Sequence, residues 1–223
     1  MKNPFAKNRI DYIINLADPK KHDKILNVGI SNIPEIEMII ENKSAECFTI
    51  DIDKIKLDKA AKFLTKTKLM VEDINDPKKL KKGYYNKIII LEVLEHLKDD
   101  FNAMEKINSL LKIGGRVILS VPNKDFLHHF NPVKYTQHER HYSKKSIYEL
   151  VESSGFKIEH FNIVESWRLL ANLYVHLIAK YILRKNIKFG TFTKKRDKTY
   201  GRYNRKGLDF VISAKKVKNI KHT

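Results

Sequence analysis

The feature that most constrains the fold of this chain is the segment Ile88–Leu97, which reads IIILEVLEHL. Its first four residues are large and apolar, and a run of this length is typical of a strand buried on both faces of a sheet. The polarity then changes to Glu92, Glu95 and His96. Ligands of open α/β sheets bind outside the carboxyl ends of the strands. The segment therefore predicts a parallel sheet with a ligand site where this strand ends.

Six further segments have the composition of short strands, and helical patterns separate most of them. Short strands that alternate with amphipathic helices indicate a parallel sheet with helices on both faces, and right-handed crossovers favour a doubly wound topology. We therefore expect an α/β fold with a doubly wound, mostly parallel seven-stranded sheet, as one domain over residues 1–223. The predicted strands are residues 24–28, 46–50, 68–71, 87–91, 116–121, 156–164 and 208–214.

Capping residues predict where several helices begin and end. Asn32 precedes a proline and two acidic residues, which predicts that Asn32 is the N-cap of a helix. A helix that contains Leu111 is predicted to end at Gly114–Gly115, because glycine favours the position after a helix. Ser143 is predicted to cap the helix that follows it.

Cysteine use and hydropathy favour a reducing compartment. Cys47 is the single cysteine of the chain, which excludes an internal disulfide and a zinc cluster of several thiolates. The first residues lack the apolar core of a signal peptide. No uninterrupted apolar run reaches the roughly 18 residues of a membrane-spanning helix. We therefore expect a cytoplasmic protein.

Four predicted strands are each followed by a residue suited to ligand binding, and these residues are Gly29, Asp51, Asp73 and Glu92. The segments around them resemble the class I S-adenosylmethionine-dependent methyltransferases, in particular the small-molecule group that has a VLEHL segment. The order and spacing of six segments support this resemblance. The segments are KILNVG (24–29), FTIDID (48–53), VEDI (71–74), YYNKIIILEVLEHL (84–97), LLKIGGRVILSVPN (110–123) and HERHYSKKSIYELVESSGF (138–156).

The resemblance implies S-adenosylmethionine as the cofactor and a role for each matching position. The backbone at Gly29 would approach the methionine part of the cofactor, because glycine has no Cβ. Asp51 would accept hydrogen bonds from both ribose hydroxyls. Asp73 and the Ile74 backbone would contact the adenine, and Glu92 would border the methionine and the reacting methyl group. The implied cofactor-binding set is Gly29, Asp51, Ile52, Asp73, Ile74 and Glu92.

The loop after the first strand departs from the pattern of that family. The family usually has an acidic residue and then three glycines at alternate positions. In this chain Asn27 stands in place of the acid, and Gly29 is the one glycine that is kept. A non-catalytic binding protein or a membrane adaptor with the same fold is therefore an alternative to an enzyme.

The implied reaction is an in-line transfer of the sulfonium methyl group to a nucleophile, in which positioning supplies much of the rate. A hydroxyl acceptor must also lose a proton, and histidine is the usual general base. The candidate bases are His141, His138 and His96. His128 and His129 could instead belong to a lid. We expect O-methylation of a glycan, a lipid-linked molecule or a quinone-like small acceptor.

The segment after the fourth strand also resembles a metal site. Glu92, Glu95 and His96, together with His138, are similar to the divalent-metal set of the small-RNA 3′-terminal 2′-O-methyltransferases. On a short helix the first three would share one face. An RNA 2′-O-methyltransferase is therefore the alternative enzyme. Many methyltransferases with this segment use no metal, and Glu95 would then orient His96, so we assign no metal ligand.

Residues 165–207 interrupt the pattern of strands and helices before the last strand. Within them, Trp167–Leu183 is largely apolar and has polar residues four apart, which is typical of an amphipathic helix. Residues 180–223 contain 15 of the 44 Lys and Arg residues and only two acidic residues, so they carry +13 of the net charge of +18. We therefore expect an insertion with a strongly basic surface.

Three hypotheses for the insertion 165–207 stay open. An amphipathic segment with Trp and flanking cations favours the interface of an anionic membrane, here the inner membrane face. A helix that packs on the domain or forms a dimer contact is the second hypothesis, and the oligomeric state is left open. RNA binding through residues 194–198 and 200–205 is the third, because aromatic residues lie among the cations there.

Overall fold

The predicted strands come together in one sheet. The computed structural model of the chain describes residues 4–44, 46–124, 140–164 and 207–220. Within these ranges the sheet contains β1 Lys24–Val28, β2 Glu46–Asp51, β3 Thr67–Val71, β4 Tyr85–Leu91, β5 Leu111–Pro122, β6 Phe156–Val164 and β7 Asp209–Lys216. The helices in the same ranges are α1 Pro4–Ala17, α2 Glu35–Ile40, α3 Lys54–Ala60, α4 Asp100–Leu110 and α5 Lys144–Ser153, with a 3₁₀ turn at Leu94–His96.

The strand order confirms the predicted α/β class and the mostly parallel seven-stranded sheet. The order across the sheet is β3-β2-β1-β4-β5-β7-β6. Strands β1 to β5 pair in parallel, whereas β7 runs antiparallel to both β5 and β6. The chain turns outward from β1 to β2 and β3, and then returns to β4 on the other side of β1. Such a switch opens a crevice at the carboxyl ends of the strands.

Strand β4 lies at the centre of the core and is buried on both faces. Ile88, Ile89 and Ile90 are each 0% exposed. Ile88 and Ile90 belong to the apolar cluster that includes α4 and α5, and Ile89 belongs to the cluster that includes α1. This alternation follows from the two-residue repeat of a strand. The apolar run that opens IIILEVLEHL therefore fixes the middle of the sheet.

The predicted N-cap at Asn32 is wrong. Helix α2 begins at Glu35, Pro34 occupies the N-cap position, and no side chain caps the helix. Ser31 Oγ donates instead to the carbonyl of Ile33 at 2.5 Å, which forms a local turn before the helix. Short polar side chains compete in this way between turns and helix caps.

The predicted end of the fourth helix is also wrong, because Leu111 belongs to β5. Leu111 pairs with Tyr85, and the next pair in register is Lys87 with Arg116, so residues 112–115 bulge out of the strand. Gly114 has φ +78° inside this bulge. A Cβ at residue 115 would lie 2.9 Å from the carbonyl oxygen of Lys112. The two glycines therefore shape a bulge next to β4 rather than a helix cap.

The cap at Ser143 is confirmed. Ser143 Oγ accepts a hydrogen bond from the backbone N–H of Ser146 at 3.1 Å, and Ser146 Oγ accepts one from the backbone N–H of Ser143 at 3.0 Å. This reciprocal pair is a capping box that begins α5.

The end of β6 lies beside the start of β7. The backbone N–H of Leu208 donates to the carbonyl of Val164 at 2.9 Å. Residues 165–206 lie outside the described residues, and with them most of the predicted insertion 165–207 and its proposed membrane-binding or RNA-binding surface. Among the helices that are described, none is long and apolar enough to cross a membrane.

Candidate functional site

A cavity of about 690 Å³ lies at the carboxyl ends of β1, β2 and β4 and beside the loop after β3. Binding sites for small molecules usually have volumes of this order. The cavity is lined by the whole set that the sequence assigned to the cofactor, together with one of the predicted bases. These residues are Gly29, Asp51, Ile52, Asp73, Ile74, Glu92 and His96.

The turn at Gly29 follows β1, is hydrogen-bonded to β2 and lines the cavity. Its backbone N–H donates to the carbonyl of Ile50 at 2.8 Å, and its φ is +84°, a conformation that favours glycine. A Cβ at this position would lie 2.6 Å from Val93 Cγ2, in the segment after β4. Glycine is therefore required here both by the backbone conformation and by the close approach of Val93.

Asp51 has its carboxylate held by two loops. Oδ2 accepts a hydrogen bond from the backbone N–H of Ile30 at 2.8 Å, and Oδ1 accepts one from that of Asp53 at 2.8 Å. An ionised carboxylate oxygen has a second lone pair, so both oxygens keep the capacity to accept from a ligand. The neighbouring side chain, Ile52, is 73% exposed at the cavity wall. The pair offers an oriented acceptor next to an exposed apolar surface.

The loop after β3 forms another part of the wall. Asp73 is exposed, and its Oδ1 accepts from the backbone N–H of Asn75 at 2.8 Å. Ile74 is 3% exposed and belongs to the main core, so its backbone is fixed in place. The Glu72 carboxylate accepts from the backbone N–H groups of Lys78 and Lys79 at 2.7 and 3.2 Å, which holds the rest of the loop.

Glu92 lies where β4 ends and has the unusual φ of +54°. Its backbone N–H donates to the carbonyl of Ser120 at 3.0 Å, and its carboxylate accepts from Ser120 Oγ at 2.7 Å. Arg9 of α1 lies 3.2 Å from the same carboxylate and donates to Ser120 Oγ at 3.0 Å. A left-handed backbone at a residue other than glycine is uncommon and costs about 1–3 kcal/mol. The side chains of Ser120 and Arg9 together hold Glu92 at the cavity edge.

Sequence reasoning missed Arg9, Ser120 and Glu37 as residues of this site. Ser120 did leave a signal, since it is the lone hydroxyl in the apolar strand segment RVILSV. Glu37 left a signal as well. It lies three residues before the apolar Ile40, and residues three apart lie on the same face of a helix. Arg9 left none, because the spacing of its helix says nothing about the ligand site.

Asn27 and Glu37 form a buried polar pair under the Gly29 turn. Asn27 Nδ2 donates to Glu37 Oε1 at 2.5 Å and to the carbonyl of Gly29 at 2.6 Å. Both side chains lie among the residues that line the cavity, and Glu37 is 5% exposed. Burial raises the pKa of the Glu37 carboxyl to about 7. The structure thus places an acid beside the loop, although not at the position where the family resemblance expects one.

The predicted bases are not brought together in the described residues. His96 is exposed and lines the cavity, whereas His141 is half-buried and is not part of the cavity lining. His138 lies outside the described residues, as do His128 and His129. Of the three candidates for a general base, the structure therefore brings His96 to the site.

The segment that carries His141 is fastened beside the 3₁₀ turn. The backbone N–H of Arg140 donates to the carbonyl of Glu95 at 3.3 Å, and the Arg140 guanidinium pairs with Asp100. Tyr142 donates its hydroxyl to the Asp100 carboxylate at 2.7 Å. Burial raises the pKa of Tyr142, and the hydrogen bond to Asp100 adds to this effect. These contacts place the backbone of His141 close to the turn without placing its ring in the cavity.

The predicted helical face of Glu92, Glu95 and His96 does not form. The positive φ of Glu92 ends β4 sharply, and the 3₁₀ turn covers only residues 94–96. Glu95 is 0% exposed, whereas His96 is exposed. No group of three His, Cys, Asp or Glu side chains suited to a metal ion occurs in the part of the chain that the structure describes. The alternative RNA methyltransferase therefore gains no support from these three residues.

Comparison with known proteins identifies the family. A family described as a methyltransferase domain matches residues 11–161, more than half of the 223-residue chain. No curated protein matches the chain.

Several solved structures are similar over most of the chain. N-methyltransferase NodS from Bradyrhizobium japonicum WM9, in complex with S-adenosyl-L-homocysteine, has a TM-score of 0.66 and 11% identity, and the match covers 97% of this chain and 90% of that one. A candidate methyltransferase from Bacillus halodurans C-125 has a TM-score of 0.67 and 14% identity, and the match covers 94% of this chain and 99% of that one. The [4+2]-cyclase SpnF has a TM-score of 0.67 and 16% identity, and the match covers 94% of this chain and 80% of that one.

Identities this low show a shared fold, and the family match adds the class of protein. It spans the strands β1 to β4, whose carboxyl ends and connecting loops form the cavity. The chain therefore belongs to the methyltransferase-domain family and has the fold of the class I S-adenosylmethionine-dependent methyltransferases.

Proposed function

We propose that this chain binds S-adenosylmethionine in the cavity and transfers its methyl group to an oxygen atom of a small glycan, lipid-linked or quinone-like acceptor. One observation carries the proposal. All six positions that the sequence assigned to the cofactor line the same cavity of about 690 Å³. They lie at the carboxyl ends of four different strands, so this convergence depends on the fold and not on their distance along the chain.

The donor and acceptor groups around the cavity fit a nucleoside with a charged amino-acid tail. Asp51 supplies two oriented acceptors for the vicinal hydroxyls of a ribose. Ile52 and the loop at Asp73–Ile74 supply an apolar wall and polar edges for an adenine. Arg9 and Glu92 supply a cation and an anion for the methionine end. The set matches each chemical part of the proposed cofactor.

The protein's contribution to the reaction is binding, orientation and control of one proton. The cofactor, when bound, supplies a methyl group activated on a sulfonium. Glu92, Arg9 and His96 all line the cavity. We assign to His96 the role of accepting the proton of an acceptor hydroxyl, while His138 and His141 stay sequence-based hypotheses. Holding the acceptor in line with the methyl group would supply most of the rate.

A methyl-transfer assay with labelled S-adenosylmethionine tests the proposed reaction. The acceptors are a catechol as a quinol analogue, a short glycan, and a single-stranded RNA with a free 3′ end, each with and without EDTA. We expect label in an oxygen-bearing small acceptor and unchanged turnover in EDTA. Transfer to the RNA alone, abolished by EDTA and restored by Mg²⁺ or Mn²⁺, would contradict the proposal in favour of the RNA 2′-O-methyltransferase.

A further inference from the structure

Glu37 is a carboxyl group at the cavity that the proposed function has not used. It is 5% exposed and nevertheless lines the cavity. Asn27 Nδ2 donates both to Glu37 Oε1 and to the carbonyl of Gly29. Because a carbonyl only accepts, the contact with Gly29 fixes which amide atom is the nitrogen, and Glu37 therefore faces a donor. The carboxyl is held at the base of the turn that closes β1.

The surroundings of Glu37 make its negative charge costly. Burial raises its pKa to about 7, and no cation contributes to that value. Arg9, the cation of α1 at this cavity, is already bonded to Glu92 and Ser120. Strand β2 packs against α2, and the charged groups that act on Cys47 there are Glu41 and Lys66. The charged or titratable residues that share the cavity with Glu37 are Arg9, Glu35, Asp51, Lys56, Glu72, Asp73, Glu92 and His96.

A ligand that carries its own cation would remove this cost. Pairing a buried carboxylate with a cation that donates hydrogen bonds offsets the loss of solvation. The cofactor has two cationic centres, a sulfonium and an α-ammonium. The sulfonium has no N–H or O–H to donate, whereas the ammonium has three N–H groups. A buried carboxylate that keeps unused lone pairs matches the ammonium.

We infer that Glu37 binds the α-ammonium group of the cofactor's methionine moiety, a step that rests on the proposed function. Arg9 would then be left to face the α-carboxylate, and Asp51 the ribose. The acid that the family resemblance expects at residue 27 would in this chain be supplied from α2, with Asn27 relaying the contact to the Gly29 turn.

The inference makes cofactor affinity depend on pH in a defined direction. Without ligand, Glu37 is largely protonated below about pH 7, and binding the ammonium requires its ionised form. Affinity should therefore fall as the pH is lowered through 7 and level off above it. Glu37→Gln keeps the shape and an oxygen acceptor for Asn27 but cannot ionise, so it should lose this dependence.

Calorimetric titrations of the full chain with S-adenosylhomocysteine and with 5′-methylthioadenosine at pH 8 and pH 6 test the inference. The first ligand has the α-ammonium and the second lacks the whole amino-acid part. We expect Glu37→Gln to weaken the binding of S-adenosylhomocysteine by about tenfold or more at pH 8. The ratio of wild-type to variant affinity for S-adenosylhomocysteine should be about tenfold smaller at pH 6 than at pH 8. Titration of the ligand's own amine is common to both proteins and cancels in this ratio.

The second ligand and a matched variant separate recognition from folding. 5′-Methylthioadenosine should bind wild type and Glu37→Gln equally at both pH values, which shows that the cavity is intact. Glu41→Gln removes a buried carboxylate from the same region outside the cavity, and it should keep the wild-type pH dependence.

Three results would overturn the inference, and they differ in what else they overturn. The ammonium assignment alone is overturned if the ratio of wild-type to variant affinity does not change with pH. It is also overturned alone if Glu37→Gln loses the same affinity for both ligands. If neither ligand binds wild type at either pH, the proposed function fails together with the inference.

Discussion

Asp51 is the residue whose surroundings define its task most closely. Its two oxygens accept from the backbone N–H groups of Ile30 and Asp53, which lie in loops after β1 and β2. The carboxylate therefore cannot rotate without breaking one of two bonds, and Asp51 lines the cavity. This rigidity favours recognition of a vicinal diol, because the acceptors are oriented before the ligand arrives.

Replacing Asp51 with Ala should abolish most of the nucleoside affinity. Two hydrogen bonds to a charged group would be lost, so we expect S-adenosylhomocysteine to bind on the order of 100-fold more weakly. Calorimetry measures this change, and a thermal melt shows whether the loops stay folded without their acceptor. Asp58→Ala removes an exposed carboxylate from the neighbouring helix and serves as the control. Unchanged affinity in Asp51→Ala would refute the ribose assignment.

At the scale of elements, caps and bulges decide where helices and strands meet. The capping box at Ser143 begins α5, whose buried face includes Ile147 and Val151 at 0% exposure. Helix α5 packs on the same face of the sheet as α4. A well-capped helix at this position helps to hold the segment Arg140–Tyr142 beside the 3₁₀ turn.

Ser143→Ala should destabilise the protein by about 1 kcal/mol, since it removes the acceptor for the backbone N–H of Ser146. Urea denaturation measures the change as a lower midpoint with an unchanged slope. Ser153→Ala, which removes a hydroxyl near the other end of the same helix, should have a smaller effect. Equal effects of the two variants would show that the capping box contributes no more than the hydroxyl of Ser153.

Strands were easier to predict than the joints between elements. The alternation of apolar runs and helical patterns predicted β1 and β6 to the residue, because strand periodicity is a local property. The bulge at residues 112–115 depends on pairing with β4, which lies far away in the sequence. The same sequence pattern of glycines serves a helix cap or a bulge, and only the tertiary neighbour decides between them.

The residues of the site also divide into those that the local sequence predicted and those that depend on tertiary packing. Gly29, Asp51, Asp73 and Glu92 could be found because each follows a strand, and parallel strands end at one edge. The contacts of Arg9 with Glu92 and of Asn27 with Glu37 depend on how α1 and α2 pack against that edge. The shared helical face expected for Glu92, Glu95 and His96 does not form, because the positive φ of Glu92 interrupts the assumed helix.

At the scale of the whole molecule, the distribution of charge favours an anionic surface as a partner. Most of the net charge of +18 lies in residues 180–223. The methyltransferase fold leaves the identity of the acceptor open, because one fold hosts many reactions. We therefore propose that the segment 165–207 brings the enzyme to an anionic membrane, where a lipid-linked acceptor would be found.

Flotation with phosphatidylglycerol-rich vesicles tests this proposal. Each cation near such a surface contributes about 1 kcal/mol. Replacing Lys194, Lys195, Arg196 and Lys198 with Gln should therefore weaken the association by at least about tenfold. The control replaces four exposed lysines elsewhere, Lys59, Lys62, Lys81 and Lys82. Equal loss in both variants, or equal flotation of wild type with neutral vesicles, would contradict a specific role for the segment.

The most direct test of the central claim is a calorimetric titration of the wild-type chain with S-adenosylhomocysteine at pH 8. The account predicts saturable binding of one ligand per chain with a dissociation constant below about 100 μM, within the range of substrate affinities common in enzymes. No saturable heat up to about 1 mM ligand would contradict it and would favour a non-catalytic protein that keeps the fold without its cofactor.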